Sequence, residues 1–205
     1  MPFPKPQPKP AASASVKSGA PAPLPVRPGP PTPRALRGFR DILPVDQPAW
    51  GLIRRTAETL ATGYGFSWID LPVVEDAALF ARAAGRHSDI VSKEMFSFTD
   101  SGGENVALRP EFTPSAVRAY LEHGFTSQPQ PVKLAYWGSA FRRERPQHGR
   151  YRQFTQFGVE VIGSAAPVVD AQLVAMFYHL CEQLNIAPVS IQLNSLGCAT
   201  CRAVR

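Results

Sequence analysis

From Trp50 onward the chain switches between two hydrophobic periods, and the switch points mark its elements. Trp50, Ile53, Ala57 and Leu60 recur at helical spacing behind Asp46-Gln47-Pro48, which is a start signal, and the run closes at Gly63-Tyr64-Gly65. Residues 66–74 then read as a strand interrupted at Pro72, a residue that cannot donate to a ladder. Short strands are predicted at 95–99 and 105–109, either side of the turn sequence Asp100-Ser101-Gly102-Gly103-Glu104. Thr113-Pro114 opens a helix, because proline is welcome at the first helical position, with Val117, Tyr120 and Leu121 on one face. Two long strands at 132–141 and 152–162, a helix at 168–184 and an alternating strand at 189–194 complete the pattern. Antiparallel strands punctuated by helices argue an α+β fold, and no repeat of twenty residues or more suggests an array.

Residues 1–34 stand outside this pattern. They hold 12 of the 22 prolines, no acidic residue and no apolar periodicity, so they are read as a disordered tail with polyproline II character. Residues 35–205 are read as the folded part. Five of the 22 basic residues (Lys5, Lys9, Lys17, Arg27 and Arg34) lie in the tail, so the formal charge of +6 falls to +1 without it. The folded part is therefore not a generally basic nucleic-acid binder, and its positive charge is local. No apolar run approaches the ~18 residues of a membrane span, and the N-terminus lacks the apolar stretch of a secretory signal. Cys181, Cys198 and Cys201 suit a reducing compartment; the lone C-x-x-C reads as packing and a helix start, with no metal site expected.

The local charge is concentrated in Phe141-Arg142-Arg143-Glu144-Arg145-Pro146-Gln147-His148-Gly149-Arg150-Tyr151-Arg152-Gln153-Phe154-Thr155-Gln156, with five arginines in the eleven positions 142–152. Arginine is a planar, permanently charged fork suited to phosphate oxygens, and Pro146 with Gly149 allows the chain to turn. Two strands joined by such a loop would hold several forks around one small polyanion. A solvated basic loop is the alternative, but Arg142 and Arg152 sit in apolar and aromatic runs where an unpaired charge is costly.

The stretch FRRERPQHGRYRQFTQFGVEVIG resembles motif 2 of the class II aminoacyl-tRNA synthetases, in the form carried by histidyl-tRNA synthetases. The resemblance runs from about Arg37 through GFRDILPVDQPAW, DIVSKEMFSF, LRPEFTPSAVRAYLEHG, DAQL and LNSLGCATCR. It implies a class II antiparallel sheet flanked by helices, with the helix and strand ending at Pro72 resembling motif 1, the family's dimer surface. It also implies activation of histidine by ATP, taken with Mg2+, and transfer to tRNA(His) by a cytoplasmic homodimer.

The resemblance implies residue roles as well. Arg142 matches the arginine that holds the α-phosphate and the amino acid carboxylate, and Arg150 the loop arginine near the β- and γ-phosphates. Phe154 matches the aromatic on which adenine stacks. Glu144 is open between orienting Arg142 and contacting the adenine amino group and the tRNA end. Glu111 and Thr113 match the E-x-T element that receives the α-amino group together with Gln156, and Glu160 the carboxylate that reads the imidazole ring. Strand alternation puts Arg152, Phe154, Gln156 and Glu160 on one face.

The chain departs from the family in three places. Phe112 stands in E-x-T where glycine is usual, which would narrow the ammonium pocket or displace Glu111, and Thr155 replaces a common histidine on the opposite face. The resemblance ends before the histidine-specific arginine segment, the motif 3 arginine and the anticodon-binding domain. The chain is thus expected to be inactive, or barely active, unless a second polypeptide completes it. Two rival readings are a regulatory paralogue that partners ATP phosphoribosyltransferase and binds histidine without making adenylate, and a non-catalytic dimerisation fragment. The intact RERPQHGRYRQF loop argues against the first.

Overall fold

A computed structural model describes residues 32–84, 93–147, 149–186 and 188–194. The chain divides into units Met1–Arg34 and Ala35–Arg205, and all that follows concerns the second. The tail at 1–31, the Asp89–Ser92 part of DIVSKEMFSF, His148 and the Cys198/Cys201 pair lie outside the described residues.

Helix α1 (Gln47–Gly63) begins with Pro48 in its first turn and ends where Gly65 takes φ +79°. Strand β1 (Ser67–Trp68) runs parallel to β5 (Val132–Phe141), which pairs antiparallel with β6 (Gln153–Ile162) along its full length. A second sheet has the order β2 (Val74–Asp76), β4 (Asn105–Leu108), β3 (Phe96–Thr99), all antiparallel. Helix α2 (Ala77–Ala84) packs on it through Ala77 and Phe80 against Ala107. The β3–β4 turn is held by Asp100, whose Oδ1 accepts from the backbone N–H groups of Gly102 (2.8 Å) and Glu104 (2.9 Å).

The strict alternation of β6 sorts the molecule into two sides. Phe157, Val159 and Val161 join Leu60 and Ala61 of α1 and Met176 of α4 (Pro167–Gln183). Phe154 and Ile162 face the other way, towards the side built by Phe112, Tyr136, Tyr120 and helix α3 (Thr113–Glu122). The candidate site lies on this second side, and the first supplies the rigid backing.

Four sequence expectations are corrected. The strand expected at 66–74 is two short strands in different sheets, because the linking backbone is engaged elsewhere: Arg109 Nη1 donates to the carbonyls of Leu71 (2.5 Å) and Pro72 (3.0 Å). No strand forms at 189–194; Ile191 and Leu193 instead line a groove along α4 with Val174 and Tyr178. On α3 the buried face is Pro114, Ser115, Ala116, Ala119 and Tyr120, while Val117 and Leu121 point outward, Leu121 at 62% exposure. On α1 Ile53 is likewise exposed, and Ala57, Leu60 and Ala61 carry the packing.

Candidate amino acid and nucleotide site

Motif 2 folds as expected at the level of backbone: the two arms β5 and β6 register Phe141 with Gln153, and the connecting loop is pinched by a bridge between Gln147 and Arg150. The ends are tied further. Arg142 N–H donates to Arg152 O at 2.8 Å, and Arg152 N–H donates to Gly38 O at 2.8 Å. Arg152 also donates from Nε to Glu144 O (3.2 Å) and from Nη1 to Arg37 O (3.4 Å). Its charge is thus spent on backbone carbonyls, and it fastens the 37–38 segment to the loop. Gly38, at φ +88°, must be glycine here, since a Cβ would stand 2.7 Å from Arg152 Cγ.

Arg142 is half-buried, with Nε donating to Pro110 O at 3.0 Å and its guanidinium carbon 5.2 Å from the centroid of the Phe154 ring. The fork expected to grip phosphate and the ring expected to stack adenine are therefore neighbours. Glu144 does not take up the first of its open roles: it pairs not with Arg142 but with Arg150, Nε to Oε2 at 3.1 Å, and so orients that arginine. Arg150 is mostly exposed.

Farther along the same face Glu160 Oε1 accepts from Thr113 Oγ1 at 2.7 Å and from the Tyr136 hydroxyl at 3.1 Å. Gln156 lies between Phe154 and Glu160 on the strand, and its Oε1 is buried with no hydrogen-bond partner among the described residues. A buried acceptor left unsatisfied is costly, and a ligand N–H is what would satisfy it. Glu111 and Thr113 also line one end of a groove of about 960 Å3 that continues between α2 and α3 over Leu79, Ala83, Val117 and Leu121. Beside it Arg118 is held by Glu75 (2.7 Å) and Glu122 (2.5 Å), and the hydrogen bond it donates to Glu75 pushes its pKa up.

Phe112 does not intrude on this group. It is 1% exposed, and its ring is sandwiched between the Arg109 guanidinium at 3.9 Å and the Tyr136 ring at 4.4 Å, parallel to within 2°. Thr155 faces the far side, lining a small cleft with Ile42, Trp50 and Trp137.

Sequence reasoning missed two residues. Arg109, 4% exposed, joins β5 to the 71–72 segment by donating from Nε to Ser139 O at 2.9 Å as well as to Leu71 and Pro72. Burial lowers its pKa, opposed by the charges of Glu75 and Asp70. Tyr136 is the other; burial first, then the charge and hydrogen bond of Glu160, raise its pKa, so it remains a protonated donor. A sign of both was available in Gly138 and Gly158, glycines inside long strands, which often mark a close approach. A Cβ on Gly138 would stand 2.7 Å from Arg109 Nη2, and one on Gly158 would collide with the Tyr136 ring and hydroxyl.

The fold and the arginine-linked strand pair are those of the class II aminoacyl-tRNA synthetases, and the solved apo histidyl-tRNA synthetase of S. aureus shares them at a TM-score of 0.63 and 39% identity, over 74% of this chain and 34% of that one. A structure described as an ATP phosphoribosyltransferase regulatory subunit/histidyl-tRNA synthetase from Bacillus halodurans C superposes with a TM-score of 0.66 over 78% of this chain and 40% of that one; at 23% identity it shows the fold alone. The histidyl-tRNA synthetase family profile matches residues 38–200, and the chain belongs to that family. The histidine–tRNA ligase of Dehalococcoides mccartyi strain BAV1 is 51% identical over 166 residues, 81% of this chain. That of Desulforudis audaxviator is 48% identical over 168 residues, 82% of this chain. In both cases the chain spans 40% of the relative's length.

Proposed function

We propose that the chain carries the histidine- and ATP-binding portion of a histidine–tRNA ligase. In this reading ATP enters as its Mg2+ complex, histidine is activated to histidyl-adenylate with release of pyrophosphate, and the histidyl group passes to tRNA(His) in the cytoplasm. The observation that carries it is the single face of β6 on which Phe154 beside Arg142, the unsatisfied Gln156 and the doubly held Glu160 follow one another.

Each step has a group suited to it. Activation brings a carboxylate and an α-phosphate together and builds negative charge on the nonbridging oxygens, which a fixed guanidinium stabilises in place. Arg142 has its Nε anchored on Pro110 O, so its terminal nitrogens are aimed rather than searching. Arg150, steered by Glu144, reaches for the outer phosphates. Glu111, Thr113 and Gln156 receive the ammonium group, and Glu160 the imidazole. A homodimer would form through the motif 1 elements, where Leu52, Ile53 and Trp68 are exposed.

The test is histidine-dependent exchange of labelled pyrophosphate into ATP. The chain joined to the remaining 60% or so of its Dehalococcoides relative should support exchange, and the chain alone should show little or none. Histidine binding without exchange by the joined protein would favour the regulatory paralogue instead.

A further inference from the structure

Tyr136 sits in the middle of β5, paired across the sheet with Gly158. Its ring is confined on both sides: Gly158 leaves just the room its hydroxyl end fills, and Phe112 lies flat against it. A side chain so enclosed has one rotamer available, which gives its hydroxyl a fixed position. That position is Glu160 Oε1, the same oxygen that receives Thr113 Oγ1. Two donors on Oε1 leave Oε2 as the open acceptor among the described residues. A carboxylate free to rotate offers either oxygen and accepts donors from several directions, whereas one with an oxygen already engaged offers a single acceptor in one direction.

We infer that Tyr136 is a positioning and specificity-determining residue: through Oε1 it turns Glu160 so that Oε2 alone meets the ligand, which restricts the site to a ring presenting an N–H at that one point. The inference rests on the reading of Glu160 as the carboxylate that meets the histidine ring. Two consequences follow from the chemistry. Methylation of the ring nitrogen that meets Oε2 removes the required donor and should be rejected, while methylation of the other nitrogen should be tolerated. Without the Tyr136 hydroxyl, Glu160 is held by Thr113 alone and the distinction should weaken.

The experiment compares the full 205-residue chain with its Tyr136→Phe variant, which keeps the stack on Phe112 and removes only the hydroxyl. NMR of the Glu160 side chain in the ligand-free protein should show one rotamer in the parent and rotamer averaging in the variant. Calorimetric titration with L-histidine and its two ring N-methyl isomers should show about tenfold weaker histidine binding in the variant, the cost of one hydrogen bond to a charged group. The preference between the isomers should narrow to a similar degree, with ATP affinity unchanged. Glu160→Ala serves as the control for the underlying reading. If it abolishes histidine binding while a folded Tyr136→Phe keeps both affinity and isomer preference, the inference is overturned and the role of Glu160 stands. If histidine binding survives Glu160→Ala, the role of Glu160 falls and the inference with it. A Glu160 side chain already averaged in the parent overturns the inference with no ligand present, and this measurement decides the matter should Tyr136→Phe not fold.

Discussion

Arg142 and Arg152 are ten residues apart on the same arginine-rich loop, yet one is anchored through Nε on the carbonyl of Pro110 and the other is spent on the carbonyls of Arg37 and Glu144. Arg142→Lys keeps the charge but loses the planar fork, so pyrophosphate exchange by the completed enzyme should fall by roughly one to two orders of magnitude, with circular dichroism unchanged. Near-normal exchange would return the loop to the solvated-surface reading. Tyr136 supports a prediction of a different kind. Its folded-state pKa is raised above its unfolded value of about 10, so its contribution to stability is complete below pH ~10 and is lost as pH climbs towards the folded value. Urea midpoints at pH 8, 9.5 and 10.5 should therefore drop more steeply for the parent than for Tyr136→Phe. The placing of Phe154, Gln156 and Glu160 on one strand was legible in the sequence from their even spacing. Tyr136 and Arg109 were not, because their roles depend on which residue the register places across from them: Gly158 opposite Tyr136, and Gly138 beside the Arg109 guanidinium.

The elements read correctly are those whose signal is local. Pro48 and Pro114 mark helix starts, Asp100 with its two glycines closes a hairpin, and β5 and β6 are long enough to show their alternation. The elements misread are decided by distant partners. Nothing near Pro72 announces that its carbonyl and that of Leu71 will be claimed by Arg109, and nothing in the alternation at 189–194 announces that this segment will lie along α4. On α1 and α3 the large apolar Ile53, Val117 and Leu121 lie exposed, whereas small residues, Ala57, Ala61, Ala116 and Ala119, are buried beside Leu60 and Tyr120 on their own helices. The Arg109–Phe112–Tyr136 stack shows how far such a long-range dependence extends, since it links the 71–72 segment, the start of α3 and β5 through one column. Gly138→Ala places a methyl into that column, 2.7 Å from Arg109 Nη2 and 3.1 Å from Phe112 Cζ. Neither neighbour can retreat without losing hydrogen bonds or the stack, so the variant should be destabilised by about 1–3 kcal/mol, measured by chemical denaturation. Because the column ends at the Glu160 partner, histidine affinity should fall in the same variant under conditions where it remains folded.

At the scale of the whole molecule, the chain spans 40% of its relatives' length and leaves several large apolar side chains exposed. Among the described residues no helix is long and apolar enough to cross a membrane. The motif 1 elements are the part to which a second copy is proposed to bind. Leu52 and Ile53 on α1 are 52% and 39% exposed, and Trp68 is also open to solvent. Leu52 is not needed for the fold, since α1 packs through Ala57, Leu60 and Ala61 instead. A charge placed there should spare the monomer and penalise only an interface, where an unpaired carboxylate would have to leave water. Sedimentation equilibrium should accordingly find the parent chain as a dimer at micromolar concentration and Leu52→Glu as a monomer, or as a dimer weakened at least ~30-fold, with matching melting curves when both are measured dilute. If Leu52→Glu dimerises as well as the parent, α1 faces something other than a second copy, and the exposed strip must be assigned to the remainder of the synthetase fold.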